Sequence, residues 1–259
     1  MSKPTVLITG ASTGIGAVYA DRFARRGHAL VLVARDRARL EALATRLRRD
    51  AGIAVDVLPA DLTVADELAR VEHRLASDER IGIFVNNAGA ALTGPLAGQT
   101  LDQIDGLIRL NLTAATRLIR AVTPRFIEAG GGSIINLTSI VALAPEIGMT
   151  VYGATKAYLL FLSQGLQLEL GPRGVYIQAV LPAATRTEIW GRAGVDVDSL
   201  KAVMPVDDLV DAALVGFDRR ELITIPPLPD DGQWTTFDTA RKAMMPNFMQ
   251  PQPAARYRS

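Results

Sequence analysis

The sequence of 259 residues contains no cysteine, which excludes disulfides, thiolate nucleophiles and cysteine-ligated metal sites. Its only two histidines, His28 and His73, lack the Glu-x-x-His spacing of a metal site, so we expect no metal. Twenty-eight Lys and Arg against 27 Asp and Glu leave a net charge of +1, which argues against a nucleic-acid partner. No run reaches the ~18 apolar residues of a membrane span, and the N-terminus lacks the pattern of a signal peptide. We therefore expect a cytoplasmic protein without a membrane partner.

The chain has instead an alternation of short β-branched runs with longer segments of helical periodicity. Several runs, such as Leu30–Val33, are apolar without alternation, which is typical of parallel strands covered by helices on both faces. The pattern predicts an α/β fold of the Rossmann-like, doubly wound type, with a seven-stranded parallel sheet. The predicted strands are Thr5–Thr9, Ala29–Ala34, Ala54–Leu58, Ile81–Val85, Ser133–Leu137, Val175–Leu181 and Leu222–Ile225.

The alternation stops at three closely spaced prolines, Pro226, Pro227 and Pro229, which cannot donate hydrogen bonds to a strand ladder. We expect a single domain over residues 1–259. Its core would cover about 4–225, and a C-terminal tail would cover 226–259.

A glycine-rich turn follows the first predicted strand. Gly10-Ala11-Ser12-Thr13-Gly14-Ile15-Gly16 lies between that strand and a helical segment at Val18–Arg26. Such a turn lets backbone N–H groups and the helix dipole approach a pyrophosphate. The spacing differs from the usual G-x-G-x-x-G, so an ordinary glycine turn is the alternative for this motif taken alone. No Gly-Lys-Ser/Thr follows, which disfavours a nucleoside triphosphate.

Further motifs make the sequence resemble the short-chain dehydrogenase/reductase family from about Pro4 to Ile225. Thr9–Gly16 is similar to the family's TGxxxGxG cofactor loop, and Asn86–Gly89 to its NNAG motif. Asp61-Leu62 follows the third predicted strand, where the family places an Asp against the adenine ring. The order and spacing of the family's catalytic tetrad are matched by Asn111, Ser139, Tyr152 and Lys156. The resemblance implies an oxidoreductase that interconverts a carbonyl and a secondary alcohol by hydride transfer.

The end of the second predicted strand bears on the choice of cofactor. NAD-binding members of the family carry an acidic residue where this chain has Ala34, and Arg35 follows. A guanidinium pairs with phosphate through two parallel hydrogen bonds, so Arg35 favours NADP, through its 2′-phosphate, over NAD. The alternative is an exposed arginine at the start of a helix that Asp36 caps.

The resemblance implies cofactor contacts along the whole core. One departure is Ala183, where the family usually has glycine; the turn must then adopt β-region geometry or carry strain. The expected cofactor-binding residues are Gly10, Ser12, Thr13, Gly14, Ile15, Gly16, Arg35, Asp61, Leu62, Asn87, Ala88, Gly89, Tyr152, Lys156, Pro182, Thr185 and Thr187.

The expected chemistry centres on Tyr152 and Lys156. Only four of the 28 basic residues are lysines, so a lysine one helical turn after a tyrosine stands out. An ammonium about 4 Å away would lower the pKa of a phenol towards about 7. Tyr152 would then act as the acid in reduction and the base in oxidation. By resemblance, Lys156 also holds the nicotinamide ribose, Ser139 binds the substrate carbonyl oxygen, and Asn111 holds a water that links Lys156 to solvent.

Other functions stay open at this point. A dinucleotide-binding sensor would keep the fold without turnover, although it would not need the acid–base pair. An epimerase or dehydratase on the same scaffold would share the motifs. A hydrolase is disfavoured because no Gly-x-Ser-x-Gly elbow surrounds Ser139.

Two apolar segments bear on the substrate and on assembly. The segment 188–206, after the sixth predicted strand, carries Trp190 and the hinge residues Gly191 and Gly194. By resemblance, this segment is a lid over the substrate pocket, and its apolar residues lead us to expect a neutral, apolar ketone or secondary alcohol. The helix after Tyr152 is apolar on more than one face, which indicates a further surface to bury unless loops cover it. By resemblance, this helix and the helix that carries Asn111 form a dimer contact, so we expect a homodimer or homotetramer.

Overall fold

The computed structural model of the chain describes residues 3–258; Met1, Ser2 and Ser259 lie outside the described residues. The described chain forms two compact units that divide between Pro226 and Pro227. This division falls among the prolines that follow the last predicted strand. The single-domain organisation over residues 1–259 stays a prediction.

A seven-stranded sheet, parallel throughout, forms the centre of the first unit, which confirms the predicted fold. The strand order is β3-β2-β1-β4-β5-β6-β7. Each observed strand end lies within one residue of its predicted position. The strands are β1 (Thr5–Thr9), β2 (Leu30–Ala34), β3 (Val55–Pro59), β4 (Ile81–Asn86), β5 (Gly132–Leu137), β6 (Val175–Val180) and β7 (Ile223–Thr224).

The strand order reverses between β1 and β4, which lie side by side at the middle of the sheet. The chain on either side of this pair runs outward in opposite directions, so a crevice opens at the carboxyl ends of β1 and β4. Open α/β sheets bind ligands at such a switch point.

Helices cover both faces of the sheet, and each face has its own apolar core. On one face α1, α2 and α8 bury side chains such as Phe23 and Leu40. On the other face α3, α5 and α6 bury Leu75, Phe126 and Leu159. The helices of the first unit are α1 (Gly14–Arg25), α2 (Arg37–Ala51), α3 (Ala65–Ser77), α4 (Leu101–Ile108), α5 (Ala115–Glu128), α6 (Thr150–Leu170), α7 (Ile189–Arg192) and α8 (Val206–Asp218).

A chain of buried amide and hydroxyl groups fixes α6 against the sheet. The side chain of Asn86 on β4 donates to Asn136 Oδ1 on β5 at 3.0 Å. Asn136 Nδ2 in turn donates to Ser163 Oγ on α6 at 2.9 Å. Buried polar groups hold their positions firmly when each has a partner. The register of α6 on the sheet is therefore set by hydrogen bonds as well as by packing.

The second unit contains two helices, α9 (Asp231–Ala243) and α10 (Met245–Phe248). Asp230 caps α9 by accepting a hydrogen bond from the Gly232 N–H at 2.9 Å. The rings of Trp234 and Phe237 lie 5.5 Å apart on α9. These two aromatic side chains therefore lie on one face of α9.

Candidate active site

A cavity of about 890 Å³ opens at the carboxyl ends of the central strands. Its wall combines the glycine-rich turn after β1 with the segments that follow β2, β4, β5 and β6. Of the predicted site residues, those that line it are Gly10, Ser12, Thr13, Gly14, Ile15, Arg35, Asp61, Leu62, Asn87, Ala88, Gly89, Ser139, Tyr152, Lys156, Pro182, Thr185 and Thr187. Gly16 and Asn111 do not line the cavity; both contact residues that support its wall.

The turn after β1 depends on glycine, as Gly10 and Gly16 show. Gly10 has a φ of +66°, and a Cβ there would lie 2.7 Å from Asn87 Nδ2. A Cβ on Gly16 would overlap the carbonyl oxygen of Gly10. Gly16 therefore lets α1 begin directly against the turn, which leaves the N-terminal backbone of α1 beside the cavity.

Asn87 and Thr9 lock this turn to the end of β4. Thr9 Oγ1 accepts hydrogen bonds at 3.0 Å from the N–H groups of both Asn87 and Ala88. Asn87 Nδ2 donates to the carbonyl oxygen of Thr9 at 2.8 Å. Sequence reasoning assigned no role to Thr9, although its place at the head of the glycine motif was a signal. The two motifs form one rigid corner of the cavity.

Arg35, Asp36 and Asp61 stand at the β2 and β3 end of the cavity. Arg35 Nη1 lies 3.9 Å from Asp61 Oδ2, and the Arg35 side chain is 71% exposed. Asp61 Oδ1 accepts hydrogen bonds from the N–H and hydroxyl of Thr63. Partial burial alone would raise the pKa of Asp61, but these hydrogen bonds and the charge of Arg35 outweigh it and keep the pKa below its usual value. Asp36 caps α2 through the Arg39 N–H at 3.0 Å, as the alternative interpretation of this segment expected.

Two further charged residues line the same end of the cavity and were not singled out from the sequence. Arg39 Nη1 on α2 lies 2.9 Å from both carboxylate oxygens of Glu188. Glu188 precedes α7 and also accepts from Arg192 Nη2 at 2.8 Å. The spacing of four residues between Arg35 and Arg39 could have indicated from the sequence that Arg39 lies at the same end of the cavity.

Ser139, Tyr152 and Lys156 meet at the other end of the cavity, each less than a tenth exposed. Tyr152 lies in the first turn of α6, and Lys156 lies one turn later. Lys156 Nζ donates to the carbonyl oxygen of Leu137 at 2.8 Å and stands 5.7 Å from the centre of the Tyr152 ring. Ser139 Oγ donates to the carbonyl oxygen of Pro182 at 3.3 Å. Three groups able to exchange protons or hydrogen bonds with a substrate oxygen thus share one wall.

The pKa shifts at this wall differ from the expectation. Burial raises the pKa of Tyr152 to about 12, and a hydrogen bond with Ser139 opposes this only in part. Burial likewise lowers the pKa of Lys156 to about 8. The predicted lowering of the tyrosine pKa towards 7 is wrong for this structure. Lys156 directs its ammonium to Leu137 rather than to the phenol oxygen, so desolvation dominates.

Asn111 lies in a π-helical segment, Arg109–Ala114, that joins α4 to α5. Its Oδ1 accepts from the Ala90 N–H at 3.0 Å, and its Nδ2 donates to the Ala90 carbonyl oxygen and to Thr155 Oγ1, both at 3.0 Å. A Cβ on Gly89 would lie 3.3 Å from Asn111 Oδ1 and 3.5 Å from Lys156 Nζ. Asn111 therefore ties the loop after β4 to α6 behind Lys156. The water that Asn111 is expected to hold between Lys156 and solvent remains a prediction.

The turn after β6 accommodates Ala183 without strain, because Ala183 is not among the residues with positive φ. Thr185 Oγ1 donates to the carbonyl oxygen of Ala183 at 2.9 Å. Trp190 Nε1 donates to the carbonyl oxygen of Thr185 at 2.8 Å. The predicted lid is thus anchored to this turn by its own tryptophan. The lid residues that line the cavity are Glu188, Ile189, Trp190, Arg192, Val195, Leu200 and Ala202.

Comparison with known proteins agrees with this arrangement. Residues 4–197 match the family model described as short chain dehydrogenase. The chain belongs to the short-chain dehydrogenase family. The resemblance that the motifs indicated is confirmed.

Two solved structures are similar to this short-chain dehydrogenase over nearly its whole length. A short-chain dehydrogenase from Sphingobium yanoikuyae in complex with NADPH is 64% identical, with a TM-score of 0.97, and the match covers 98% of this chain and 100% of that one. A bulky-bulky ketone specific alcohol dehydrogenase from Comamonas testosteroni is 54% identical, with a TM-score of 0.93, and both chains are covered fully.

Curated relatives match a shorter part of this short-chain dehydrogenase. Very-long-chain 3-oxoacyl-CoA reductase-B from Danio rerio is 32% identical over 187 residues, which are 71% of this chain and 60% of the relative. The match spans 60% or less of the length of the first three such relatives.

Within residues 3–258, no group of three or more His, Asp or Glu side chains is arranged to hold a metal ion. No helix of that described part is both long and apolar enough to cross a membrane.

Proposed function

We propose that this short-chain dehydrogenase uses NADP(H) to interconvert a ketone and a secondary alcohol, with Tyr152 as the proton donor and acceptor. One observation carries the proposal. The glycine-rich turn, Arg35 and the group formed by Ser139, Tyr152 and Lys156 line a single cavity. A dinucleotide held by the first end would bring its nicotinamide to the second.

The residues present fit a dinucleotide with a 2′-phosphate. The glycines leave a cradle that a Cβ at Gly10 would fill, and the α1 N-terminus suits a pyrophosphate. Ala34 offers no carboxylate to a ribose hydroxyl, whereas Arg35 offers a cation. The buried Thr138 hydroxyl, which has no hydrogen-bond partner within the described chain, adds a polar group to the cavity wall that a ligand can satisfy. The NADPH in the Sphingobium yanoikuyae structure supports the same cofactor here.

The side chains around Tyr152 account for the proton transfer. The bound cofactor would supply the hydride that the carbonyl carbon accepts. Tyr152 Oη donates its proton to the carbonyl oxygen, while Ser139 Oγ donates a hydrogen bond to that oxygen as it becomes negative. With a pKa of about 12, Tyr152 stays protonated at neutral pH, as an acid in the reductive direction requires. Lys156 would hold the nicotinamide ribose, and its ammonium would place a positive charge at this buried wall.

The substrate end of the cavity favours a large neutral ketone. Ile140, Val141 and Ile147 line the cavity together with Ile189 and Trp190 of the lid. The charge of Arg192 on the lid is already paired with Glu188 at 2.8 Å, so the cavity does not call for an anionic substrate. The relative from Comamonas testosteroni is named for bulky-bulky ketones, which supports the same substrate class.

Replacing Trp190 by Ala tests this assignment. With NADPH oxidation measured over a panel of ketones, kcat/KM for bulky apolar ketones should fall about tenfold, because an apolar wall is lost. Small ketones and the dissociation constant of NADPH should change little.

The variant Trp190→Phe is the matched control, because it keeps an aromatic side chain in the wall while it removes the N–H that reaches Thr185 and one ring of the indole. It should retain most of the preference for bulky ketones. Equal losses for large and small ketones in Trp190→Ala would contradict the assignment. Binding of NADPH without turnover of any ketone would indicate a sensor, and product without net cofactor oxidation would indicate an epimerase or dehydratase.

We also propose that the protein is a homodimer or homotetramer. Leu101 on α4 is 80% exposed, and Phe161 and Leu168 on α6 are 77% and 82% exposed. Large apolar side chains at such exposure mark surfaces that a partner covers. The expected cytoplasmic location stays a prediction.

Light scattering at micromolar concentration should therefore give two or four times the chain mass of 27.7 kDa. Phe161→Glu should shift the mass towards that of one chain, because a charge would enter the apolar contact. Glu169→Lys, a charge change at another exposed position of α6, serves as the control. A wild-type mass of a single chain would contradict the assembly.

A further inference from the structure

An ion pair joins two distant parts of the chain across the cofactor end of the cavity. Arg39 on α2 and Glu188 before α7 are 149 residues apart in sequence, yet Arg39 Nη1 lies 2.9 Å from both oxygens of the Glu188 carboxylate. Arg192 Nη2 also donates to this carboxylate, at 2.8 Å from Oε2. All three residues line the cavity.

The chain around Glu188 also touches the glycine-rich turn. A Cβ on Gly14 would lie 3.1 Å from Thr187 Cγ2, so Thr187 already packs against that turn. Glu188 is the next residue after Thr187, and its ion pair with Arg39 connects it to α2. The turn, the start of the lid and the start of α2 are thus connected in series beside the cradle.

We propose that Glu188, through its ion pair with Arg39, is a positioning residue that straps the dinucleotide into the cavity and slows its release. The proposal rests on the proposed function, because it requires a dinucleotide in the cradle. A ligand held against Gly14 and Arg35 can leave readily only when the lid separates from α2. The ion pair must break for that separation.

The strength of the strap follows from its exposure. The side chains of Arg39 and Glu188 are 49% and 51% exposed, so the pair is screened by water and salt. A pair of this kind opens often, and its contribution is modest. It therefore sets a release rate rather than blocking the cavity.

The strap differs from a phosphate contact in what it recognises. Arg35 would distinguish NADPH from NADH through the 2′-phosphate. The Arg39–Glu188 pair joins two side chains of the protein and does not depend on the 2′-phosphate. It should therefore slow the release of NADPH and NADH equally. This difference lets one experiment separate the two roles.

The test is the rate at which NADPH and NADH dissociate, followed by stopped-flow nicotinamide fluorescence after dilution into excess oxidised cofactor. Glu188→Gln and Arg39→Gln should each speed release of both cofactors about two- to fivefold. The double variant should be no faster than Glu188→Gln, because Glu188→Gln alone already removes the pair with Arg39. Added salt should speed release from the wild type and have little effect on Glu188→Gln.

Asp198→Asn is the matched control, because it removes a lid carboxylate whose ion pair, with Arg186 at 2.6 Å, reaches the turn after β6 and not α2. It should release both cofactors at the wild-type rate. Wild-type release rates in Glu188→Gln would overturn the strap while leaving the proposed function intact. Faster release of NADPH alone in Arg39→Gln would also overturn it, by showing that Arg39 is a phosphate ligand. Failure of the wild type to bind either cofactor would instead overturn the proposed function, and the strap with it.

Discussion

Replacing Tyr152 by Phe should lower kcat for ketone reduction by about a hundredfold to ten-thousandfold, the range that general acid catalysis contributes. The change removes the hydroxyl that donates the proton and keeps the ring, which packs with Leu107 and Val141. The fold and the NADPH dissociation constant should therefore stay nearly unchanged. Steady-state NADPH oxidation gives kcat, and fluorescence titration gives the dissociation constant.

Tyr158→Phe is the control for this variant, since Tyr158 is on the same helix but bonds Thr116 Oγ1 at 2.9 Å. It should retain wild-type turnover. The assignment of Tyr152 as the acid would be wrong if Tyr152→Phe kept near-wild-type kcat on a ketone that the wild type reduces well.

The second large effect is expected at Arg35. Replacing it by Ala removes a charge-assisted contact worth about 1.5–3 kcal/mol, so the NADP dissociation constant should rise about tenfold to a hundredfold. The NAD dissociation constant should barely change, because NAD lacks the 2′-phosphate. Isothermal titration of both cofactors against both proteins measures the ratio.

Arg37→Ala provides the matched control, because Arg37 begins α2 but does not line the cavity. It should leave both dissociation constants near their wild-type values. An NADP/NAD ratio that Arg35→Ala leaves unchanged would exclude this role for Arg35.

Much of this architecture could be predicted because local sequence patterns determine it. The β-branched runs predicted the ends of the strands to within one residue. They could do so because parallel strands that are buried on both faces consist of nearly continuous apolar residues. The glycine-rich turn could also be predicted from a local pattern. Its backbone geometry excludes side chains at Gly10 and Gly16, whatever the rest of the fold does.

What could not be predicted depends on contacts between distant segments. Arg39 and Glu188 form a pair only because the lid folds back onto α2. An arginine or a glutamate in the sequence does not indicate which residue it will contact in the fold. The raised pKa of Tyr152 follows from its burial and from the direction of the Lys156 ammonium. Sequence spacing places the tyrosine and the lysine on one helix face but does not give either quantity.

Transfer of deuterium tests the central claim most directly. NADPH with deuterium at both positions of nicotinamide C4 is incubated with a bulky apolar ketone, and the product is examined by mass spectrometry and NMR. The account predicts a secondary alcohol with one deuterium on the carbinol carbon, formed by the wild type and nearly absent with Tyr152→Phe. An alcohol without deuterium, or tight NADPH binding with no alcohol from any ketone in the panel, would contradict it.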